Sequence, residues 1–198
     1  MTLAPALAGV AAALFATRLI LLATLHLVPN PYHPVRDAVS DYAVGPTRRL
    51  STVMTGLTVA AWFVTAGAVW LGLSRWEDRA LAASTIAAAG LCCLAIIAAP
   101  TDVAGRRTVR GRVHLLLAVG WFALSFVPMS NMADLAEARH WAAAGALTVL
   151  YWITLVGLVG LCLAMLRPIR GVFGLLQRVF LVGSALFYLV FTISLALA

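Results

Sequence analysis

LAPALAGVAAALFATRLILLATLHLV, residues 3–28, is the stretch that decides the fold. It is mainly apolar and longer than the roughly 20 residues an α-helix needs to cross a bilayer. A secretory signal would carry basic residues ahead of an apolar core of about 7–15 residues. Here no basic residue precedes Arg18 and the apolar stretch is longer, so the segment reads as a retained transmembrane helix. Five runs of the same kind follow, at 53–73, 80–99, 113–129, 141–166 and about 171–198. Hydrophobic residues make up 63% of the chain and charged ones 11%, against about 45–50% and about 25% in soluble domains. The expected fold is therefore an all-α membrane protein: residues 1–198 form one domain, a compact bundle of six transmembrane helices, with no room for a soluble domain.

A net charge of +7 would suggest nucleic acid in a soluble protein, but here the arginines sit in short loops beside apolar spans and act first on topology. No nucleic-acid partner is expected. All 14 basic residues are arginine, whose planar fork pairs well with carboxylate and phosphate. Arg36, Arg48, Arg49, Arg106, Arg107, Arg110, Arg112, Arg167, Arg170 and Arg178 fall on the face of the odd-numbered loops. Only Arg75, Arg79 and Arg139 fall on the other. The positive-inside rule then makes the protein a multi-pass cell-membrane protein with cytoplasmic odd loops and both termini external. Cys92, Cys93 and Cys162 lie inside apolar runs and read as packing residues. No ligand spacing typical of a metal site occurs, even counting His33, Asp37, Asp41 and His114, so neither a metal nor another cofactor is expected.

Between the first two spans lies the longest connection, PNPYHPVRDAVSDYAVGPTRRL, residues 29–50. Pro29, Pro31 and Pro34 keep its start extended. Pro34 then suits the first turn of a short interfacial helix reaching Tyr42, with Val35, Val39 and Tyr42 on its apolar face, before Gly45 and Pro46 end it. That register would place Asp37 and Asp41 one turn apart, an unfavourable pairing unless a cation or arginine meets them.

Most notable polar residues gather on the odd-loop face: His26, Ser40, Asp41, Asp102, His114, Gln177 and Arg178. Histidines and carboxylates together at a membrane surface suit acid–base work, and their bland role is to cap helices and pair with arginines. Arg18 is the costliest residue in the chain. It stands about ten residues, or roughly 15 Å of helix, from the end of its span. With no acid inside any span, its partners must be backbone carbonyls, water, a bound anion, or a loop carboxylate such as Asp41 or Asp102. A polar cavity descending from the odd-loop face would satisfy it; a shifted first span would instead let it snorkel. Glu77, Asp78, Asp134, Glu137 and His140, on the opposite face, read as solvated loop residues.

Ser40-Asp41-Tyr42-Ala43 after a Pro-Tyr segment, Pro100-Thr101-Asp102 closing the third span, Gly111 with His114 opening the fourth, and Leu175-Leu176-Gln177-Arg178 in the sixth form an ordered set. In order and placement the set resembles the domain of unknown function 998 family, over most of the chain. The resemblance implies a six-span fold, brings no agreed activity, and marks Ser40, Asp41, Asp102, His114, Gln177 and Arg178 without giving them roles.

The leading expectation is a protein that holds a lipid or small amphiphile in an intramembrane pocket opening on the odd-loop face. Arg18, His26, Ser40, Gln177 and Arg178 would bind it, with the third-loop arginines meeting an anionic headgroup. Asp41, Asp102 and His114 are the candidate catalytic groups should acid–base chemistry follow. Two other classes compete: a transporter or channel with an anion site at Arg18, and a structural partner subunit. The chain lacks internal repeats and intramembrane carboxylates, which argues against coupled transport.

Overall fold

The computed structural model describes residues 3–103 and 107–198. These residues form seven α-helices and two 3-10 helices: α1 Leu3–Leu27, η1 Val39–Ala43, α2 Arg48–Gly72, α3 Arg79–Ala98, α4 Val109–Phe126, α5 Met129–Ala138, α6 Ala144–Ala164, η2 Arg167–Val172 and α7 Phe173–Leu197. Six helical stretches among the described residues are long and apolar enough to cross a membrane, with α4 and α5 together making the fourth. The chain is thus an all-helical, multi-pass bundle. Arg106 of the third-loop arginine cluster lies outside the described residues.

Two positions depart from the boundaries read in sequence. The fourth apolar run was expected to stop near Met129, yet α5 continues to Ala138 with Met132, Ala133, Leu135 and Ala136 buried. Its polar residues Asp134 and Glu137 are exposed on the opposite side, so the segment is amphipathic. It ends where His140 takes φ 52°, the left-handed turn that commonly terminates helices. The short helix expected over 34–42 is compressed into η1. Asp41 turns its carboxylate onto the backbone N–H of Ala38 at 2.9 Å, and Asp37 takes the N–H of His33 at 2.6 Å. Each aspartate therefore serves its own turn, and the two do not form the bare pair feared from their spacing. Val39 and Tyr42 are buried as the apolar face required, while Val35 is only partly covered.

Packing follows chain neighbours and one closure. α1 lies against α2 and α7, α2 against α3, α3 against α4, α5 against α6, and α6 against α7. In lipid this assembly rests on close van der Waals fit more than on burial from water. At its centre Phe15, Trp62 and Tyr188 meet at ring separations of 5.3 and 4.7 Å along the chain of contacts, and the Tyr188 hydroxyl donates to the Ser125 carbonyl at 2.6 Å. The α6–α7 seam is tighter still: a Cβ on Gly157 would stand 2.6 Å from the Phe180 nitrogen, and one on Gly183 2.7 Å from Thr154 Oγ1. α4 packs mainly on α3 and buries only His114, Phe122 and Ser125. Its far half meets α7 through Phe122 and Ser125, but toward the odd-loop side it leaves space between itself, α2 and α7.

Candidate functional site

That space is a cavity of about 290 Å³ bounded by α2, α3, α4 and α7, with α1 contributing Arg18 and η1 contributing Val39, Ser40 and Ala43. Arg48 at the start of α2 and Arg110 in the first turn of α4 line its outer part. Arg18, Cys93, Trp121 and Leu181 line the inner part, where Arg18 is only 3% exposed. One wall is polar. Ser51, Thr52, Thr55 and Thr58 recur at helical spacing along α2. The facing wall is apolar, with Ile96, Ile97 and Ala118. Among the described residues that line the cavity, none is acidic.

Arg18 donates from Nη1 to the carbonyl of Leu181 at 3.1 Å, and its guanidinium lies 5.9 Å from the centre of the Trp121 ring. A guanidinium carries five N–H groups. Among the described residues, this carbonyl is the single hydrogen-bond acceptor Arg18 reaches. At 3% exposed, Arg18 faces the bundle interior. Beside it, the buried Trp121 Nε1 has no hydrogen-bond partner among the described residues. A buried charge with so few partners is costly unless something with acceptor atoms completes it.

His114 also lines the cavity. Its Nδ1 is 2.7 Å from the Ala99 carbonyl, which can only accept, so Nδ1 carries the proton and Nε2 is the nitrogen left to act. Gln177 uses Oε1 to accept from the Val39 N–H at 2.7 Å, leaving its amide N–H groups for the cavity. Of the residues singled out in sequence, then, Arg18, Ser40, His114 and Gln177 share this one space.

The others fasten its edges. Arg178 donates Nε to His26 Nε2 at 2.7 Å, Nη1 to the carbonyls of Asp37 and Gly174 at 2.8 and 2.9 Å, and Nη2 to the Tyr42 hydroxyl at 3.2 Å. Since an arginine only donates, His26 must accept at Nε2 and give its Nδ1 proton to the Leu22 carbonyl, 2.6 Å away. This knot ties α1, the first loop and α7 together. Gly174 is required beneath it, because a Cβ there would collide with the Asp37 carbonyl. Asp41 caps η1, where burial and the nearby Asp37 push its carboxyl up to about 6, against the pull of the Ala38 N–H and Arg178.

Asp102 plays the matching part on the other side. Its carboxylate accepts from the Thr108 N–H and hydroxyl, both at 2.7 Å, while the Thr108 oxygen caps α4 by accepting from the Gly111 N–H at 3.0 Å. A Cβ on Gly111 would overlap the Asp102 carboxylate. The marked motif residues thus split by position: Ser40, His114 and Gln177 line the cavity, while Asp41, Asp102 and Arg178 hold its roof and the start of α4. Sequence reasoning passed over the α2 hydroxyl stripe and Arg48. The stripe was visible as Thr55 and Thr58 in the second apolar run, with Ser51 and Thr52 just ahead of it, but threonines are common enough in membrane helices to draw no notice.

A family model described as a protein of unknown function (DUF998) matches residues 6–194. No match is found among curated proteins or among solved structures.

Proposed function

This chain belongs to the DUF998 family of proteins of unknown function, and from the geometry of its cavity we propose that it binds an anionic amphiphile with the headgroup inside the bundle. One observation carries this reading: the Arg18 guanidinium, 3% exposed, meets one carbonyl and a cavity free of acidic lining among the described residues. An anion held there regains what the guanidinium lost on leaving water, and the interaction is strong because the surroundings are poorly polarisable. Arg48 and Arg110 at the outer part draw a negative headgroup inward. Ile97, on the apolar wall of the cavity, is 42% exposed, and in this reading that wall runs on toward the lipid tails. The volume, about 290 Å³, is at the low end of pockets that hold small ligands, roughly 300–1,000 Å³. It suits a headgroup with its tails left in the bilayer.

Any acid–base step on such a ligand falls to His114 Nε2, since Asp41 and Asp102 are engaged in capping turns at the rim. The arginine distribution supports placing the odd-loop face, and so the cavity's outer end, in the cytoplasm. The test is thermal unfolding in detergent with added phosphatidylglycerol or phosphatidylcholine. Phosphatidylglycerol should raise the midpoint of the wild type and leave Arg18→Gln unmoved; an equal rise in both proteins, or with both lipids, would defeat the proposal.

A further inference from the structure

The lining chemistry narrows the ligand further, on the premise that Arg18 holds an anion. The threonines of the polar wall have already spent their hydrogens. Thr52 donates to the Arg48 carbonyl at 2.8 Å, Thr55 to Ser51 at 2.9 Å and Thr58 to Met54 at 2.7 Å. Each can offer the cavity only lone pairs. His114, with its Nδ1 proton on Ala99, likewise offers an acceptor at Nε2. Around Arg18 the balance is reversed: its remaining N–H groups, the Trp121 Nε1–H and, one turn before Leu181 on α7, the amide N–H groups of Gln177 are donors in search of acceptors.

A fitting ligand therefore carries a many-oxygened anion at one end and hydrogen-bond donors along one side. Those donors must be neutral, since an ammonium would face Arg18, Arg48 and Arg110 with no carboxylate to meet it among the described lining residues. Hydroxyl groups meet that need. A tetrahedral anion presents more oxygens than a carboxylate to a fork of several N–H groups. We propose that the cavity recognises a phosphorylated polyol, with the phosphate on Arg18 and Trp121 and the hydroxyls donating to Thr55, Thr58 and His114. Such a group occurs both as a lipid headgroup and as a free sugar or polyol phosphate.

The experiment compares two arms on the purified full chain. In the soluble arm, glycerol 3-phosphate and inositol 1-phosphate compete with inorganic phosphate; in the lipid arm, phosphatidylinositol competes with phosphatidic acid in mixed micelles. The proposal expects the hydroxyl-bearing probe to bind at least about tenfold more tightly than its bare-phosphate counterpart in one arm, the worth of a hydrogen bond or two. Which arm responds tells the source. Thr55→Val with Thr58→Val should erase that preference and leave affinity for the bare phosphate unchanged, which also shows that the variant is folded. Equal affinity for both members of each pair, or a preference that survives the double variant, overturns the polyol assignment. Should Arg18→Gln bind every probe as the wild type does, the anion site itself is wrong, a failure distinct from the first.

Discussion

Arg18 lines the cavity and Arg178 fastens its edge, and the two meet opposite surroundings. Among the described residues Arg178 finds four acceptors, on His26, Asp37, Gly174 and Tyr42, whereas Arg18 finds one. Removing Arg178 strands buried partners, so Arg178→Leu should lower stability by about 3 kcal/mol. Removing Arg18 deletes a poorly satisfied buried charge. Arg18→Leu should therefore leave stability unchanged or raise it by about 1–4 kcal/mol. Thermal unfolding of both variants in one ligand-free detergent checks the contrast. Arg18 was legible in sequence because a charge amid apolar residues is expensive wherever its helix sits. The duties of Asp41 and Asp102 were not, since each depends on which backbone N–H the folded turn brings near it. For Asp41 a pH test follows. Its carboxyl is raised from 3.8 to about 6 in the fold, so the folded state binds the proton more tightly than the unfolded state does. Its contribution is full below about pH 4 and lost as pH rises through about 6. Asp41→Asn should flatten that part of the stability profile, and the wild type should gain on the variant as pH falls from 6 to 4.

Among the elements, the six spans were readable because length and hydropathy alone define them. α5 was not read as a helix. Its run of Ser130, Asn131, Asp134 and Glu137 breaks the apolar stretch, and only contact with α6 shows that Met129, Met132 and Leu135 form a buried face. Helix pairing was equally hidden. A Cβ on Gly56 would meet nothing within 4 Å, whereas one on Gly90 would stand 3.1 Å from the Trp62 Cβ, so small residues by themselves do not say where helices close. The true close approach is at Gly157, where the backbone of α7 leaves no room for a methyl group. Gly157→Ala should cost about 1–3 kcal/mol by forcing the two helices apart. Gly145→Ala on the same helix has open space and should be neutral or stabilising by up to about 1 kcal/mol. Unfolding midpoints of the two variants, compared side by side, decide whether the seam is as tight as described.

At the scale of the whole molecule the bundle is polarised. Charged and hydrogen-bonding side chains gather at the odd-loop end, and the cavity descends from there to Arg18. The first loop and the start of α7 roof it, and the Asp102–Thr108 cap fixes the near end of α4. Sequence located this end and its deepest charge, but only the packed helices show that α4 stands off from α2 to open the space. Leu3 and Leu197 end their helices opposite the odd loops; on the proposed orientation, with the odd loops cytoplasmic, a phosphatase fused after Ala198 should be active outside the cell and a fluorescent protein there dark, and the reverse pattern would invert it. The most direct test of the central claim is native mass spectrometry of the protein released from its membrane, wild type beside Arg18→Gln. The cavity account predicts a retained anionic adduct in the wild type that is lost in the variant. The same adduct on both proteins, or none on either, would contradict it.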